Sequence, residues 1–145
     1  MVREFQNEDR EAIFSLFVET FNGPPWNDKW SYETAEKYLT EFIETPGFTG
    51  CTLIENDQII GVAFAQKRSW WSGSELYINE LWVKPDRQRS GYGVSILKFL
   101  ENHAKLAGCT GALLLTNRNY SAKLFYEKCN YSELEQMTFM HRDLE

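Results

Sequence analysis

The stretch that decides the fold is "VKPDRQRSGYG", residues 83–93, which joins a strand-like run to a helix-like run. The run before it, "ELYINELWV", is rich in β-branched and aromatic residues and predicts a strand. The run after it, "VSILKFLENHAKLAG", repeats apolar residues at helical spacing and predicts a helix over residues 91–107. Glycines allow backbone N–H groups to approach a ligand, and a helix N-terminus favours anions. The stretch therefore predicts either a phosphate site or a basic, solvated turn.

Two familiar phosphate-binding patterns do not fit this stretch. A dinucleotide-binding fingerprint needs a third glycine at the position of Ile96. A P-loop needs Gly-Lys-Ser/Thr after its first glycine, and Gly91 is not followed in that way. A phosphate bound here would need another arrangement of backbone amides, with Lys84, Arg87 and Arg89 adding positive charge.

The remaining sequence predicts one α/β domain, residues 1–145, in which helices flank a mixed sheet in the order β-α-α-β-β-β-α-β-α-β. A hairpin is predicted around Asn56-Asp57, since both residues tolerate tight-turn dihedrals. The apolar run "CTGALLLT" predicts a buried strand, and "QMTFMHRDL" predicts a closing strand. The other predicted elements are a first strand at "VREF" and helices over residues 8–21, 28–44 and within "NYSAKLFYEKCNY".

The composition narrows the class of protein. A chain of 145 residues with 43% hydrophobic residues is long enough to bury a core. It has no apolar run of about 18 residues, so no membrane span is expected, and its charged N-terminus without a signal-peptide core predicts a cytoplasmic location. A net charge of −6 disfavours binding to nucleic acid. The three cysteines are widely spaced, so neither a disulfide framework nor a metal site is expected.

Two motifs follow one another along the chain. The first is the turn formed by Gln88, Gly91 and Gly93, after a strand that ends in a Val-x-Pro step. The second is "NYSAKLFYEK", residues 119–128, on a predicted helix. Together they resemble the GNAT superfamily of acetyl-CoA-dependent N-acetyltransferases, whose element order also matches nearly the whole chain. One departure is Asn130, where the family usually has a glycine, although asparagine also tolerates the left-handed conformation.

That resemblance implies acetyl-CoA as the cofactor. Backbone amides of the glycine turn would hold the coenzyme A pyrophosphate, and the end of the preceding strand would bind the pantetheine arm through its backbone. The N–H of Val83 would also polarise the thioester carbonyl. The implied cofactor-binding residues are Leu81, Trp82, Val83, Gln88, Arg89, Ser90, Gly91, Tyr92, Gly93, Val94, Asn119 and Tyr126.

The resemblance also implies two catalytic residues. Glu80 occupies a strand position where many family members carry a catalytic carboxylate, and it would act as general base directly or through water. Tyr126 matches the family's tyrosine that protonates the leaving thiolate. The alternatives are a solvated strand glutamate and a core tyrosine with a satisfied hydroxyl.

Two tryptophan-rich segments are candidate walls of an acceptor site, because the faces of aromatic rings attract cations. They supply the candidate substrate-binding residues Trp26, Asp28, Trp30, Trp70 and Trp71. Trp26 and Trp30 have the alternative of simply packing a helix pair. Trp70 and Trp71 are therefore the stronger candidates from sequence.

The function expected from these observations is acetyl transfer from acetyl-CoA to a primary amine of a small molecule. A polyamine, an aminoglycoside-like sugar and an amino acid are the acceptors considered, and the protein is expected to be a monomer or homodimer. The alternatives are a peptide or protein N-acetyltransferase and a non-catalytic acyl-CoA-binding regulatory module.

Overall fold

A mixed β-sheet flanked by helices forms the larger of two units in the computed structural model, which describes residues 1–145. This unit, Met1–Leu115, contains strands β1 (Val2–Glu4), β2 (Phe48–Glu55), β3 (Gln58–Arg68), β4 (Ser74–Val83) and β5 (Cys109–Leu114), and helices α1 (Arg10–Phe21), α2 (Tyr32–Ile43) and α3 (Tyr92–Leu106). Short 3₁₀ helices span Asn7–Asp9 and Pro85–Arg87. The second unit, Thr116–Glu145, contains helix α4 (Ser121–Lys128). None of the helices combines the length and the apolar character needed to cross a membrane.

The five strands lie in the order β1-β2-β3-β4-β5, and only the β4–β5 pair is parallel. The predicted α/β class with a mixed, helix-flanked sheet is confirmed. The β2–β3 hairpin turns at Asn56 and Asp57 with φ of 51° and 62°, as the sequence predicts. Gly91 begins α3 at φ 82°, in the left-handed region that favours glycine.

Strand β4 separates from β5 halfway along its length. The parallel ladder ends at the pair Ile78–Leu114, whereas β4 continues to Val83 while paired with β3. A register shift opposite Phe64 and Ala65 leaves Asn79 as an extra residue in β4, which is a β-bulge. The second half of β4 therefore has an edge that no strand covers.

The two faces of the sheet are covered by different helices. On one face, Phe17 of α1 and Leu39 of α2 pack with Phe64 and Trp82 of the central strands. On the other face α3 lies close against β3, because a Cβ at Gly61 would come 2.6 Å from Ile96 Cδ1. Side chains alternate along a strand, so β4 presents Trp82 to the α1–α2 face and its neighbours to the α3 face.

Helix α2 begins later than the sequence predicts. Residues 28–44 were expected to be helical, but α2 spans Tyr32–Ile43. Ser31 is the N-cap, since its side chain accepts a hydrogen bond from the Thr34 N–H. In return, the Thr34 hydroxyl oxygen accepts a hydrogen bond from the Ser31 N–H, which completes a capping box. The segment before Ser31 is thus a non-helical connection, and Trp30 lies in this loop.

One predicted strand is absent, and another is present but less buried than predicted. The run "CTGALLLT" forms β5, but β5 is the edge of the sheet and is only half-buried, because its only strand partner is β4. The segment "QMTFMHRDL" forms no strand, so the predicted order is correct except for its last element. A strand requires a hydrogen-bonded neighbour, and the only backbone bond in this segment is a local one from Met137 N–H to Leu134 O.

Candidate active site

The carboxylate of Glu80 is held by a side chain from another element. Glu80 lies on β4 just after the bulge, opposite Phe64 of β3, and faces the α1–α2 side of the sheet. The phenol of Tyr38 on α2 donates a 2.6 Å hydrogen bond to Glu80 Oε1. Tyr38 is in turn packed between the rings of Trp30 and Phe42, at 5.1 and 4.9 Å between centroids. The carboxylate therefore has a fixed orientation at the uncovered half of β4.

The surroundings of Glu80 raise the pKa of its carboxyl group to about 7. Burial is the largest cause, and the negative charge of Asp28 adds to it, while the hydrogen bond from Tyr38 acts in the opposite direction. The pKa of Tyr38 is raised by burial and by the neighbouring Glu80, so its hydroxyl stays protonated as the donor. A carboxylate with a pKa near neutrality is suited to take up a proton at physiological pH.

Two of the predicted acceptor-site residues lie beside this pair. Trp30 Nε1 donates to Asp28 Oδ2 over 3.1 Å, and the Trp30 ring contacts Tyr38. The Trp30 backbone is held from both sides by Asn22, whose side chain accepts from the Trp30 N–H and donates to the Trp30 carbonyl, each at 2.9 Å. Asp28 is exposed and Trp30 is half-buried, so both can contact a bound molecule.

The other three tryptophans occupy different places. Trp26 is half-buried and packs on Phe21, with ring centroids 4.8 Å apart. Trp70 and Trp71 lie in the β3–β4 turn and are 62% and 88% exposed. Phe64 of β3 lies opposite Glu80, and the turn begins four residues further along β3, after Arg68. At the usual rise of a strand, Arg68 is about 13 Å from Phe64. Trp30 thus lies beside the Tyr38–Glu80 pair through its contact with Tyr38, whereas the role of Trp70 and Trp71 stays a prediction.

The uncovered edge of β4 offers backbone groups to a ligand. The Lys84 N–H donates to Ile60 O of β3, and successive residues of a strand direct their N–H groups to opposite sides. The N–H groups of Leu81 and Val83 therefore point away from β3, towards the side where β5 has separated. Gln88 Nε2 donates to Val83 O from this side over 3.0 Å. The backbone of Trp82 is directed to β3 and its side chain is buried, so Trp82 does not reach this edge.

The start of α3 leaves three backbone amides without helical partners. Gly91 is the N-cap, no side chain caps it, and the first helical bond from its carbonyl goes to the Ser95 N–H. The N–H groups of residues 92–94 are consequently available to an anion. A Cβ at Gly91 would meet nothing within 4 Å, so the space above the turn is open. These observations fit a phosphate group at the turn and an extended chain along β4, which is the form of coenzyme A.

The positive charge around the turn differs from the expectation. Arg87 is paired with Glu55, with Nε 2.9 Å from Oε1, and Tyr92 Oη also donates to the Glu55 carboxylate. Arg89 is exposed, with φ of 62°. Arg89, rather than Arg87, therefore carries the charge that a phosphate would meet.

The second motif lies in the smaller unit. Asn119 precedes α4, and its N–H donates to Asn117 Oδ1 over 2.8 Å. Tyr126 lies on α4 between the rings of Phe125 and Tyr131, at 5.0 and 5.6 Å. Asn130 has φ of 70° after the helix, as the sequence predicts. The roles of Asn119 and Tyr126 stay predictions.

Three residues of the site were missed by sequence reasoning, namely Tyr38, Asn22 and Glu55. Tyr38 lies in the helix predicted over residues 28–44, but nothing in a local pattern links it to Glu80, 42 positions away. Asn22 directly follows the helix predicted over residues 8–21, a position where an asparagine is ordinary. Glu55 precedes a turn, where an acidic residue is ordinary.

An open groove of about 750 Å³ lies elsewhere on the larger unit, between α1 and the β2–β3 turn. Its wall includes Arg3 and Asp9, which already form a bidentate ion pair with both contacts at 2.8 Å. Of the residues that the sequence suggests for catalysis or binding, only Lys84, expected to add positive charge near the turn, lines it. The candidate site is therefore the Glu80 region and not this groove.

Comparison with known proteins identifies the class. The sequence model of the acetyltransferase (GNAT) family matches residues 10–131, which include Glu80, the glycine turn and the whole second motif. The chain belongs to the GNAT acetyltransferase family. No curated protein matches the chain's sequence.

Solved structures of low sequence identity share the fold. A possible acetyltransferase from Clostridium difficile 630 has a TM-score of 0.83 at 15% identity, covering 100% of this chain and 98% of that one. An aminoglycoside acetyltransferase from an uncultured soil metagenomic sample, in complex with sisomicin, has a TM-score of 0.77 at 15% identity, with 100% and 96% coverage. An aminoglycoside N-acetyltransferase in complex with CoA has a TM-score of 0.79 at 15% identity, with 99% and 95% coverage.

Proposed function

We propose that this protein is an N-acetyltransferase that moves an acetyl group from acetyl-CoA directly to a primary amine of a small molecule, with Glu80 as the general base. The observation that carries the proposal is the Glu80 carboxylate, fixed by Tyr38 at the uncovered half of β4 with its pKa raised to about 7. A merely solvated strand glutamate would have neither the half-buried tyrosine partner nor the raised pKa. Residues 1–145 act in this proposal as one acetyltransferase domain.

The acceptor explains why a base of this kind is needed. A primary amine resembling lysine has a pKa near 10.4, so exposing its lone pair at pH 7 requires about 4–5 kcal/mol. A positioned base contributes roughly 10²–10⁴-fold to such a reaction. Above pH 7 the Glu80 side chain is ionised and can take the proton, either directly or through water.

The cofactor is assigned to the uncovered edge of β4 and the start of α3. Bound acetyl-CoA supplies an activated thioester. The amides of residues 92–94, with Arg89 beside them, bind the pyrophosphate, and the outward-facing backbone of Leu81 and Val83 binds the extended arm. The Val83 N–H donates to the thioester carbonyl, an electrostatic contribution often worth a few kcal/mol. Tyr126 protonates the leaving thiolate, an assignment supported by its place in the family motif.

The acceptor is assigned to the residues beside Glu80. The ring of Trp30 offers a face to a cation, and Asp28 offers a carboxylate to an amino group. Trp26, whose ring packs on Phe21, is assigned to the same acceptor site. An acceptor with more than one amino group, such as a polyamine or an aminoglycoside-like sugar, uses these groups best, and the names of two structural neighbours are consistent with this class.

A panel of amines tests the proposal. The purified protein is incubated with acetyl-CoA and monoamines, diamines, polyamines, aminoglycosides, amino acids or peptides, and thiol release and product mass are recorded. Acetylation of at least one small amine at a rate well above the protein-free reaction is the expected result. Acetylation of peptides alone would support the peptide N-acetyltransferase instead. Tight acetyl-CoA binding without transfer to any acceptor would support the regulatory module.

A further inference from the structure

Glu55 connects the two ends of the glycine turn. Its carboxylate accepts from Tyr92 Oη through Oε2, and its Oε1 lies 2.9 Å from Arg87 Nε. Arg87 is the last residue before the turn segment 88–91, and Tyr92 is the first residue after it. One side chain from the end of β2 thus joins the chain before the turn to the chain after it.

The segment between these ends has a demanding backbone conformation. Arg89 has φ of 62° and Gly91 has φ of 82°, so two of its residues are left-handed. For Arg89, which has a Cβ, this region is unfavourable and must be maintained by surrounding contacts. Gln88 contributes one such contact through its 3.0 Å bond to Val83 O.

The contact with Glu55 occupies the charged group of Arg87. The Arg87 guanidinium is compensated by a carboxylate and is not free to pair with a phosphate. The contact is an attraction of charges more than an aligned hydrogen bond, since Arg87 Nε has no acceptor in good geometry.

We propose that Glu55 is a positioning residue for the coenzyme A pyrophosphate, acting through Arg87 and Tyr92 to hold the amides of the glycine turn in a binding arrangement. The inference rests on the proposed function, because it assumes that the turn binds coenzyme A. Glu55 is well placed for this role, since it ends a strand of a tight hairpin whose next residues, Asn56 and Asp57, form the turn. Amides that are fixed before binding lose less conformational entropy when the anion arrives.

The sign of the effect separates positioning from simple electrostatics. Glu55 is an acidic residue near a site for an anion. If its charge only repelled the phosphates, Glu55→Ala would tighten binding of coenzyme A. If the side chain positions the turn, the same substitution weakens binding.

The experiment uses the full chain and calorimetric titration with coenzyme A. Tyr92→Phe removes one hydrogen bond without a change of charge, and we expect roughly a 3- to 10-fold weaker affinity, which is the range that the loss of an ordinary hydrogen bond produces. Glu55→Ala should weaken affinity at least as much, and Tyr92→Phe should add nothing in the Glu55→Ala background. Tyr32→Phe, on the exposed side of α2, is the matched control and should bind as the wild type does.

A truncated cofactor excludes a general structural effect. S-acetylpantetheine lacks the pyrophosphate, so both variants should raise the KM for acetyl-CoA several-fold more than the KM for S-acetylpantetheine. Equal losses with both acetyl donors, or unchanged coenzyme A affinity in Glu55→Ala and Tyr92→Phe, would overturn the inference alone. A wild-type protein that fails to bind coenzyme A would overturn the proposed function together with it.

Discussion

Tyr38 on α2 donates a 2.6 Å hydrogen bond to Glu80 on β4, across 42 residues of sequence. The bond joins the helical layer to the strand at the point where β4 leaves β5. It fixes the orientation of the Glu80 carboxylate. The hydrogen bond from Tyr38 lowers the pKa of Glu80, whereas the charge of Asp28 raises it. Each neighbour can be changed separately.

Tyr38→Phe should move the acidic fall of kcat/KM to higher pH. The Tyr38 hydrogen bond lowers the Glu80 pKa, so its removal raises that pKa while phenylalanine keeps the packing against Trp30 and Phe42. Glu80 then becomes ionised only at higher pH, and activity is lost earlier on acidification. A kcat/KM profile recorded between about pH 5.5 and 9 measures the shift, because this interval covers the titration of carboxyl groups with raised pKa values. A profile that superimposes on the wild type would remove Tyr38 from the account.

Asp28→Asn should have the opposite effect. The Asp28 charge raises the Glu80 pKa, so its neutralisation lowers that pKa and extends activity to lower pH. The asparagine oxygen can still accept from Trp30 Nε1, which preserves the local contact. Glu36→Gln removes an exposed charge from α2 and serves as the control, with no shift expected. A shift of the Asp28→Asn profile to higher pH contradicts the arrangement described.

Trp30→Phe should weaken binding of the amine more than Trp70→Phe does. Trp30 lies beside Tyr38, whereas Trp70 lies in the distant β3–β4 turn. Loss of the indole reduces cation–π attraction and removes the bond to Asp28, so the amine KM should rise roughly 3- to 10-fold. The matched Trp70 variant should change it less than about twofold, as expected for an exposed residue outside the site. A larger effect at Trp70 would place the acceptor near that turn.

Glu80→Gln should increase stability in a pH-dependent way. The folded state raises the Glu80 pKa from 4.5 to about 7, so ionisation of Glu80 opposes folding. The wild type therefore loses stability as pH rises through the interval from 4.5 to 7, and the variant does not. The free energy of unfolding of the variant, relative to the wild type, should be higher at pH 8 than at low pH by on the order of 3 kcal/mol. Urea unfolding at the two pH values measures it, and a pH-independent difference would show that Glu80 is not perturbed.

The local parts of the site could be predicted from the sequence. The turn at Gln88, Gly91 and Gly93, the hairpin at Asn56-Asp57 and the strand position of Glu80 each depend on residues close together in the chain. Glycine and asparagine tolerate left-handed backbone, so they mark positions where a tight turn can form. Those features were therefore visible without a structure.

The remaining parts depend on contacts between distant segments. Tyr38 and Glu55 contact their partners across 42 and 37 positions, and no local pattern encodes such pairs. The apolar run of β5 shows that its side chains avoid water, but it does not show that only one strand pairs with it. The role of Trp70 and Trp71 stays a prediction for a related reason, because exposure indicates availability and says nothing about distance from Glu80.

The central claim is that Glu80 is the general base of an acetyl-CoA-dependent transfer. The most direct measurement is the pH dependence of kcat/KM for the best amine of the panel, compared between the wild type and Glu80→Gln. The account predicts a wild-type profile that falls on acidification with a midpoint near 7, and a Glu80→Gln profile that is lower and lacks this fall. The amine itself titrates near pH 10, roughly three units higher, so the two ionisations are separable. A Glu80→Gln profile with the same fall and the same rate would contradict the claim.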